Sequence, residues 1–191
     1  MAKHSVVVMV LVIVLISTMV IDVLEAATKD DHDDEKVTNL QFYFHDIVSG
    51  KTPTAVRVAK AADTEKSPAS FGALVMADDP LTETPDPKSK LVGRAQGLYG
   101  SAGQQELGLV MAMSFAFTEG EYNGSSISIL GRNAALNPVR EMPVVGETGI
   151  FRLARGYAIA KTHWFNATSG DAIVEYNVTV VHYRRRKELM F

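Results

Sequence analysis

Residues 107–118 alternate strictly. Leu107, Leu109, Met111, Met113, Phe115 and Phe117 share one face of an extended chain, and Gly108, Val110, Ala112, Ser114, Ala116 and Thr118 share the other. A period of two is the mark of a strand with at least one buried face. No stretch of the body repeats apolar residues at the helical spacing, and the helix formers are interrupted by Gly, Thr, Val and Pro. Further apolar or β-branched runs at 40–47, 54–58, 71–77, 91–99, 125–130, 141–145, 150–164 and 172–183 read as strands. Breaker-rich turns separate them, among them 100–103, 119–124, 146–149 and 168–171. The chain is therefore expected to be all-β, with eight or nine antiparallel strands in a sandwich or a closed barrel. Loops near Pro53 and over 78–90, the latter opened by Asp78-Asp79-Pro80, are long enough to cover a mouth.

Two patterns favour the barrel. The last strand sets Val174, Tyr176, Val178 and Val180 against Glu175, Asn177, Thr179 and Val181. The strand at 107–118 is apolar or small on both faces, so both faces need cover. One face can line a barrel. With no helix to cover the other, a second copy of the chain is expected there, which predicts a homo-oligomer.

The ends read differently from the body. Lys3, an apolar run from Val6 to Ile21, and Ala26-Ala27 follow the layout of a cleaved signal peptide. This predicts a leader over 1–26 and a protein secreted to the extracellular space. Residues 27–37 hold five acids in the six positions from Asp30 to Glu35 and read as a disordered acidic segment. The β domain is expected over 38–183, and 184–191, opening with Arg184-Arg185-Arg186-Lys187, reads as a basic tail. A length of 191 residues suits one domain with a real core. The chain has no cysteine, which excludes disulfides and thiolate chemistry, and a net charge of -3, which argues against a nucleic-acid partner. A secreted domain without disulfides must draw its stability from closure of its sheet.

Few residues invite a chemical reading. Alternation places Asp46 on the apolar face of Leu40, Phe42 and Phe44. A carboxyl continuing such a face sits at a barrel mouth or inside with partners, where burial raises its pKa and suits it to exchange a proton with a substrate oxygen. His45 is expected to face outward or to support a turn. Arg140 and Arg152 lie close to glycine- and proline-marked turns, and Arg94 sits in Gly93-Arg94-Ala95-Gln96-Gly97; arginines beside an aromatic pocket can pair with an inward carboxylate, or hold phenolic oxygens and stack on rings. Tyr99, Tyr157, Trp164 and Phe165 are candidate apolar walls. Gly93, Gly97, Gly100 and Gly103 match no phosphate-binding pattern, and the histidines are too scattered for a metal motif, so no metal or cofactor is expected. Asn123, Asn166 and Asn177 open glycosylation sequons.

Several segments together resemble the plant dirigent proteins. They are Tyr43-Phe44-His45-Asp46-Ile47, Gly93-Arg94-Ala95-Gln96-Gly97-Leu98-Tyr99, Ser128-Ile129-Leu130-Gly131-Arg132-Asn133, Arg140-Glu141-Met142-Pro143-Val144-Val145-Gly146, the run from Thr148 to Ala158, and the run from Gly170 to Val178. The resemblance covers nearly all of the chain beyond the leader. It implies an eight-stranded antiparallel β-barrel, similar in shape to allene oxide cyclase, that assembles as a homo-oligomer, commonly a trimer, in the apoplast. It implies a protein without its own oxidising centre that imposes stereoselectivity on the coupling of phenoxy radicals, such as those of coniferyl alcohol. A separate laccase or peroxidase makes those radicals. Other members are dehydratases: some pterocarpan synthases dehydrate an isoflavanol through a quinone methide. A secreted phenolic carrier or wall-binding protein is the reading of a different class. By resemblance, Asp46, Tyr99, Arg140 and Arg152 are the catalytic group and Phe165 lines the substrate pocket, to which Phe44, on the face of Asp46, and the candidate wall Tyr157 are also assigned. Lignan-forming members carry a second aspartate after Gly131, where this chain has Asn133-Ala134-Ala135. Glu147 stands where glycine is usual, and Asn166 where aspartate is common.

Overall fold

The computed structural model describes residues 18–19 and 35–183. The basic tail, and all of the leader and acidic readings except 18–19 and 35–37, lie outside the described residues.

Among the described residues nine strands form one antiparallel sheet: β1 (Glu35–Asp46), β2 (Ala55–Ala59), β3 (Leu74–Thr82), β4 (Leu91–Ser101), β5 (Gly108–Phe117), β6 (Ser126–Ala134), β7 (Arg140–Thr148), β8 (Arg155–Phe165) and β9 (Ala172–Tyr183). The order β1-β9-β8-β7-β6-β5-β4-β3 closes on itself where β3 returns to β1, giving an eight-stranded barrel. The seam is short, Tyr43 opposite Thr82 and Phe44 opposite Leu81. Beyond it, β2 takes over the same edge of β3, from Ala55 opposite Ala77 to Ala59 opposite Leu74. β2 thus continues the line of β1 after an excursion over 47–54, whose ends are tied by Thr54 N–H and Ala55 N–H, both donating to the Ile47 carbonyl.

Two boundaries differ from the sequence reading. β1 starts at Glu35, not 38, because β9 runs out to Tyr183 and pairs with it there. β3 runs through Asp78-Asp79-Pro80 to Thr82 instead of ending at Ala77. Proline is admitted because every second backbone nitrogen of β3 points toward β1 and β2. Asp78 N–H uses that side to reach the Thr54 carbonyl, and Pro80 falls in the gap between the β2 and β1 pairings, where no donor is required. The β3–β4 loop therefore begins at Glu83 and lies at the end of the barrel away from Asp46, not over the mouth.

Alternation fills the interior. β5 contributes Met111, Met113, Phe115 and Phe117, β9 Val174 to Val180 at every second position, and β1 Leu40, Phe42 and Phe44, all buried. Tyr176 packs against Phe42, Phe44 and Phe115 with ring centroids 5.0–5.9 Å apart. A second group, Phe117, Tyr122, Phe151 and His182, closes the end opposite Asp46. Such side chains each stabilise the fold by about 1.5–3 kcal/mol on burial. The barrel is a cup: solid at one end and through its middle, open at the other. Gly93 and Gly97, which superficially suggest a nucleotide loop, are β4 residues pressed on β5. A Cβ at either would lie 2.2 Å from a carbonyl oxygen, that of Ala116 or Ala112.

Candidate functional site

The open end is formed by the last residues of β1, β4, β6 and β8, the first of β3, β5, β7 and β9, and the loops over 47–54, 60–73, 102–107, 135–139 and 166–171. A cavity of about 220 Å³ descends from it, with Phe44, Asp46, Tyr99, Asn133, Arg140, Thr162, Phe165 and Tyr176 in its walls. A wider space of about 630 Å³ adjoins it toward the loops, reaching Val48, Arg57 and Ser169. Both spaces are walled by Tyr99, Leu107, Leu109 and Gly170.

Asp46 ends β1 and faces inward, as its parity with Phe44 predicts. The Tyr99 hydroxyl donates to its carboxylate, 3.0 Å from Oδ2 and 3.2 Å from Oδ1. Burial pushes the Asp46 carboxyl up to about 6, a rise that the Tyr99 hydrogen bond restrains and the nearby Asp171 charge assists. Burial, and then the Asp46 charge, raise the Tyr99 phenol well above its ordinary range. Near neutrality the pair is a carboxylate taking a hydrogen bond from a neutral phenol.

Arg140 enters from the first position of β7 and is buried, with its Nε donating to Asn133 Oδ1 at 3.2 Å and a terminal nitrogen to the Asn137 carbonyl at 3.2 Å. Both partners are neutral, so the guanidinium keeps a full charge in the cavity wall. Asn133 therefore orients Arg140 without neutralising it. Asp46 is the one carboxyl in the wall of the inner cavity among the described residues. The cavity is polarised, with an acid and a phenol on one side and a cation on another.

Asp171 holds the mouth in shape. Its carboxylate accepts from Val48 N–H (2.9 Å), Ser49 N–H (3.0 Å), Ser49 Oγ (2.6 Å) and Ser169 Oγ (2.8 Å), joining the excursion over 47–54 to the β8–β9 hairpin. The Ser49 hydroxyl foremost keeps it below the usual carboxylate range. His45 has no place in the cavity. It is buried on the outer side of β1, its Nε2 2.7 Å from Thr82 Oγ1, whose hydroxyl donates to the Thr84 carbonyl and anchors the β3–β4 loop.

Phe44 and Phe165 line the cavity with Asp46, Tyr99 and Arg140. Arg152 and Tyr157 are not brought there. Arg152 is exposed after the 3-10 turn Gly149–Phe151, at the closed end, and Tyr157 points outward from β8 and is 43% exposed. Trp164 is also exposed. The 3-10 turn and the register shift between Thr162 and Trp164 break the parity that a count along the chain relies on. Asn123 is exposed beside the turn Gly120–Tyr122 at the closed end, Asn166 starts the hairpin at the mouth, and Asn177 lies on the outer face of β9 with its amide donating to Glu175. Among the described residues no cluster of three or more His, Asp or Glu side chains could hold a metal ion.

One buried acid was hidden by its surroundings in sequence. Asp79 is fully buried on the inner face of β3 and does not line the cavity. Parity with Ala77 and Leu81 is the signal that locates it, but Asp-Asp-Pro reads first as a turn. Its Oδ1 is held by the Thr54 hydroxyl and its Oδ2 has no partner. Burial, and then the Asp46 charge, push this carboxyl up to about 8.

The profile of the family described as dirigent-like protein matches residues 37–181. Dirigent protein 23 of Arabidopsis thaliana is 68% identical over 148 residues, covering 78% of this chain and 79% of that one. Pterocarpan synthase 1 of Glycyrrhiza echinata is 54% identical over 151 residues, covering 78% and 80%. Among solved structures, that of the pterocarpan synthase dirigent protein GePTS1 superposes with a TM-score of 0.74 at 53% identity, covering 79% of this chain and 91% of that one.

The buried acids make stability depend on pH with a defined sign. Asp46 and Asp79 bind protons more tightly in the folded state, up to about 6 and about 8, than at the ordinary value of 3.8. Their contribution is fully present below the ordinary value and is lost as pH rises through the folded ones. In urea unfolding, stability should fall by on the order of several kcal/mol between about pH 5 and pH 9, where the paired surface carboxylates stay ionised. Asp79→Asn should remove most of that slope. An unchanged slope in the variant contradicts the assignment.

Proposed function

The chain belongs to the dirigent family, and on that premise we propose that it converts a phenolic benzylic alcohol of the isoflavanol class to a single enantiomer of the cyclised product in the extracellular space, by dehydration through a quinone methide. The observation that carries this reading is Asp46, the one acid lining the inner cavity among the described residues, hydrogen-bonded to Tyr99 and facing a space shared with the un-neutralised Arg140. Protonated Asp46 gives its proton to the benzylic hydroxyl, and the C–O bond breaks to release water. The para phenol of the same ring gives up its proton to solvent at the mouth as its electron pair flows in to form the quinone methide. Arg140 holds that oxygen as its charge changes. A second phenolic oxygen of the substrate then adds to the exposed face of the carbon. Its proton returns to Asp46, and the first oxygen regains one from solvent. One water is lost, and no oxidant is needed. Likeness to two pterocarpan synthases in sequence and two in structure supports this choice.

Stereoselective coupling of two phenoxy radicals is the second reading. The observation favouring it is the pair of adjoining spaces, which gives room for two aryl units. Against it stands the neutral Asn133: closing a dimer of two quinone methides calls for proton exchange at two centres, and one acid lines this cavity. Either route needs only about 1.4 kcal/mol between competing transition states for tenfold selectivity.

The deciding experiment supplies purified protein with a racemic isoflavanol and no oxidant, and in parallel with coniferyl alcohol plus a laccase, followed by chiral chromatography. We expect one enantiomer of a dehydrated ether in the first arm, and a rate loss of about 10²-fold or more in Asp46→Asn. One-handed dimers in the second arm alone would replace dehydration by coupling. Racemic products in both arms from a protein that still binds the ligands would leave a carrier.

The same proposal includes a homo-oligomer, a trimer. Val56, Met76, Leu98, Ala112 and Leu130 are successive cross-strand neighbours on the outer face of β2 to β6. Val56, Met76 and Leu130 are 44–51% exposed, a continuous apolar row on the outside of the barrel. The opposite outer face carries Asn39, Gln41, Glu175, Asn177 and Thr179, a hydrogen-bonded polar surface that needs no cover. Leu130→Glu should reduce the sedimenting mass to that of one chain without altering the circular dichroism; an unchanged mass puts the interface elsewhere.

A further inference from the structure

The chemistry above leaves Asp79 without a task. It does not line the cavity, yet a fully buried acid with a bare oxygen is a costly thing to keep in a barrel wall. Its one partner is informative. Thr54 lies where the chain returns from the excursion over 47–54. The Oγ1 that meets Asp79 also accepts from Ile47 N–H at 3.2 Å and lies 3.4 Å from the His45 carbonyl oxygen. His45 and Ile47 are the two neighbours of Asp46. The Thr54 backbone strengthens the junction, receiving Asp78 N–H at 2.9 Å and donating to the Ile47 carbonyl at 2.8 Å. A single hydroxyl therefore joins Asp79 to the chain on both sides of Asp46.

That hydroxyl has one proton to give. With Asp79 protonated, its O–H donates to Thr54 Oγ1, and the threonine proton turns to the His45 carbonyl. With Asp79 ionised, the threonine proton must turn to the carboxylate, and the His45 carbonyl loses that donor. The surroundings favour the neutral acid. Asp46 on β1 and Asp78 on the same strand oppose a negative charge, and Arg94 on β4 favours one only weakly because it is paired with Asp78 on the outside. Tyr99 on β4 and Tyr176 on β9 also face it, and both phenols are held neutral.

We propose that Asp79 is a positioning residue that works as a neutral carboxylic acid, locking the chain on either side of Asp46 through Thr54, and that its ionisation releases the lock. The proposal rests on the reading of Asp46 as the acid of the site. It adds a residue outside the cavity that decides how firmly that acid is held, and an upper pH limit beyond which the hold is lost.

Carbon-13 NMR of the full chain, following carboxyl and backbone carbonyl signals against pH, tests this without turnover. In the unaltered protein the Asp79 carboxyl and the His45 carbonyl should move with one common midpoint, near the value of about 8 set by burial. Asp46→Asn should carry both midpoints together to lower pH. Asp79→Asn should leave the His45 carbonyl flat in that range. Thr54→Val should uncouple the two signals and move the Asp79 midpoint higher, whereas Thr54→Ser should restore the coupling. An Asp79 titration in the ordinary carboxylate range, or a His45 carbonyl that ignores it, overturns the lock. Should Asp79→Asn fail to fold, the Asp46 and Thr54 variants decide alone. Full stereoselectivity in Asp46→Asn with the two midpoints still moving together would sink the role of Asp46 and leave the lock standing.

Discussion

The fold depends on a seam two residues long. A twisted sheet of eight strands presents an apolar face that must be covered, and this one covers it by returning β3 to β1 at Tyr43–Thr82 and Phe44–Leu81. Closure removes two exposed edges and encloses a core of interlocking rings. It also creates the chemistry. Asp46 lies just past the seam on β1, Asp79 just before it on β3, and Tyr99 on the next strand, β4. These three residues, far apart in sequence, meet only because the sheet is closed. The excursion over 47–54 interrupts the edge at the same point, leaving the gap in which Pro80 is accepted and Thr54 is placed.

The interior that closure produces is filled by packed rings at one end and open toward the loops at the other. This asymmetry sets the properties of the groups in it. Asp46 sits near the opening with a phenol to stabilise its charge, so its affinity for a proton rises only to about 6. Asp79, level with it on β3, is fully buried with one oxygen bare, and rises further, to about 8. Two carboxyls within one electrostatic neighbourhood thus differ in proton affinity, so that Asp46 exchanges its proton near pH 6 while Asp79 stays neutral. Arg140 completes the polarity, because Asn133 gives it a hydrogen bond but no countercharge.

Much of this was legible in the sequence where alternation is unbroken. The inner face of β5, the inner face of β9, and Asp46 on the face of Phe42 and Phe44 follow from a count of two along extended chain. The dirigent resemblance supplied closure and strand number, which periodicity leaves open between sandwich and barrel. Legibility fails where the count is broken. Asp78-Asp79-Pro80 carries the composition of a turn, yet it is strand, because the missing partner over the excursion removes the reason proline is excluded. Arg152, assigned by resemblance, follows a 3-10 turn at the closed end, and Tyr157, read as an apolar wall, falls on the outer parity, so neither lines the cavity. The Thr54–Asp79 contact joins loop to strand across the seam and has no local signature at all.

The central claim is that a buried, protonated Asp46 drives loss of water inside the barrel. The most direct measurement is the pH dependence of kcat/KM for isoflavanol dehydration in the unaltered protein and in Asp46→Asn. The rate should fall as pH rises through about 6, the value burial gives Asp46, and the variant should show a low rate without that limb. A profile that lacks the limb, or one that the variant shares, would contradict it.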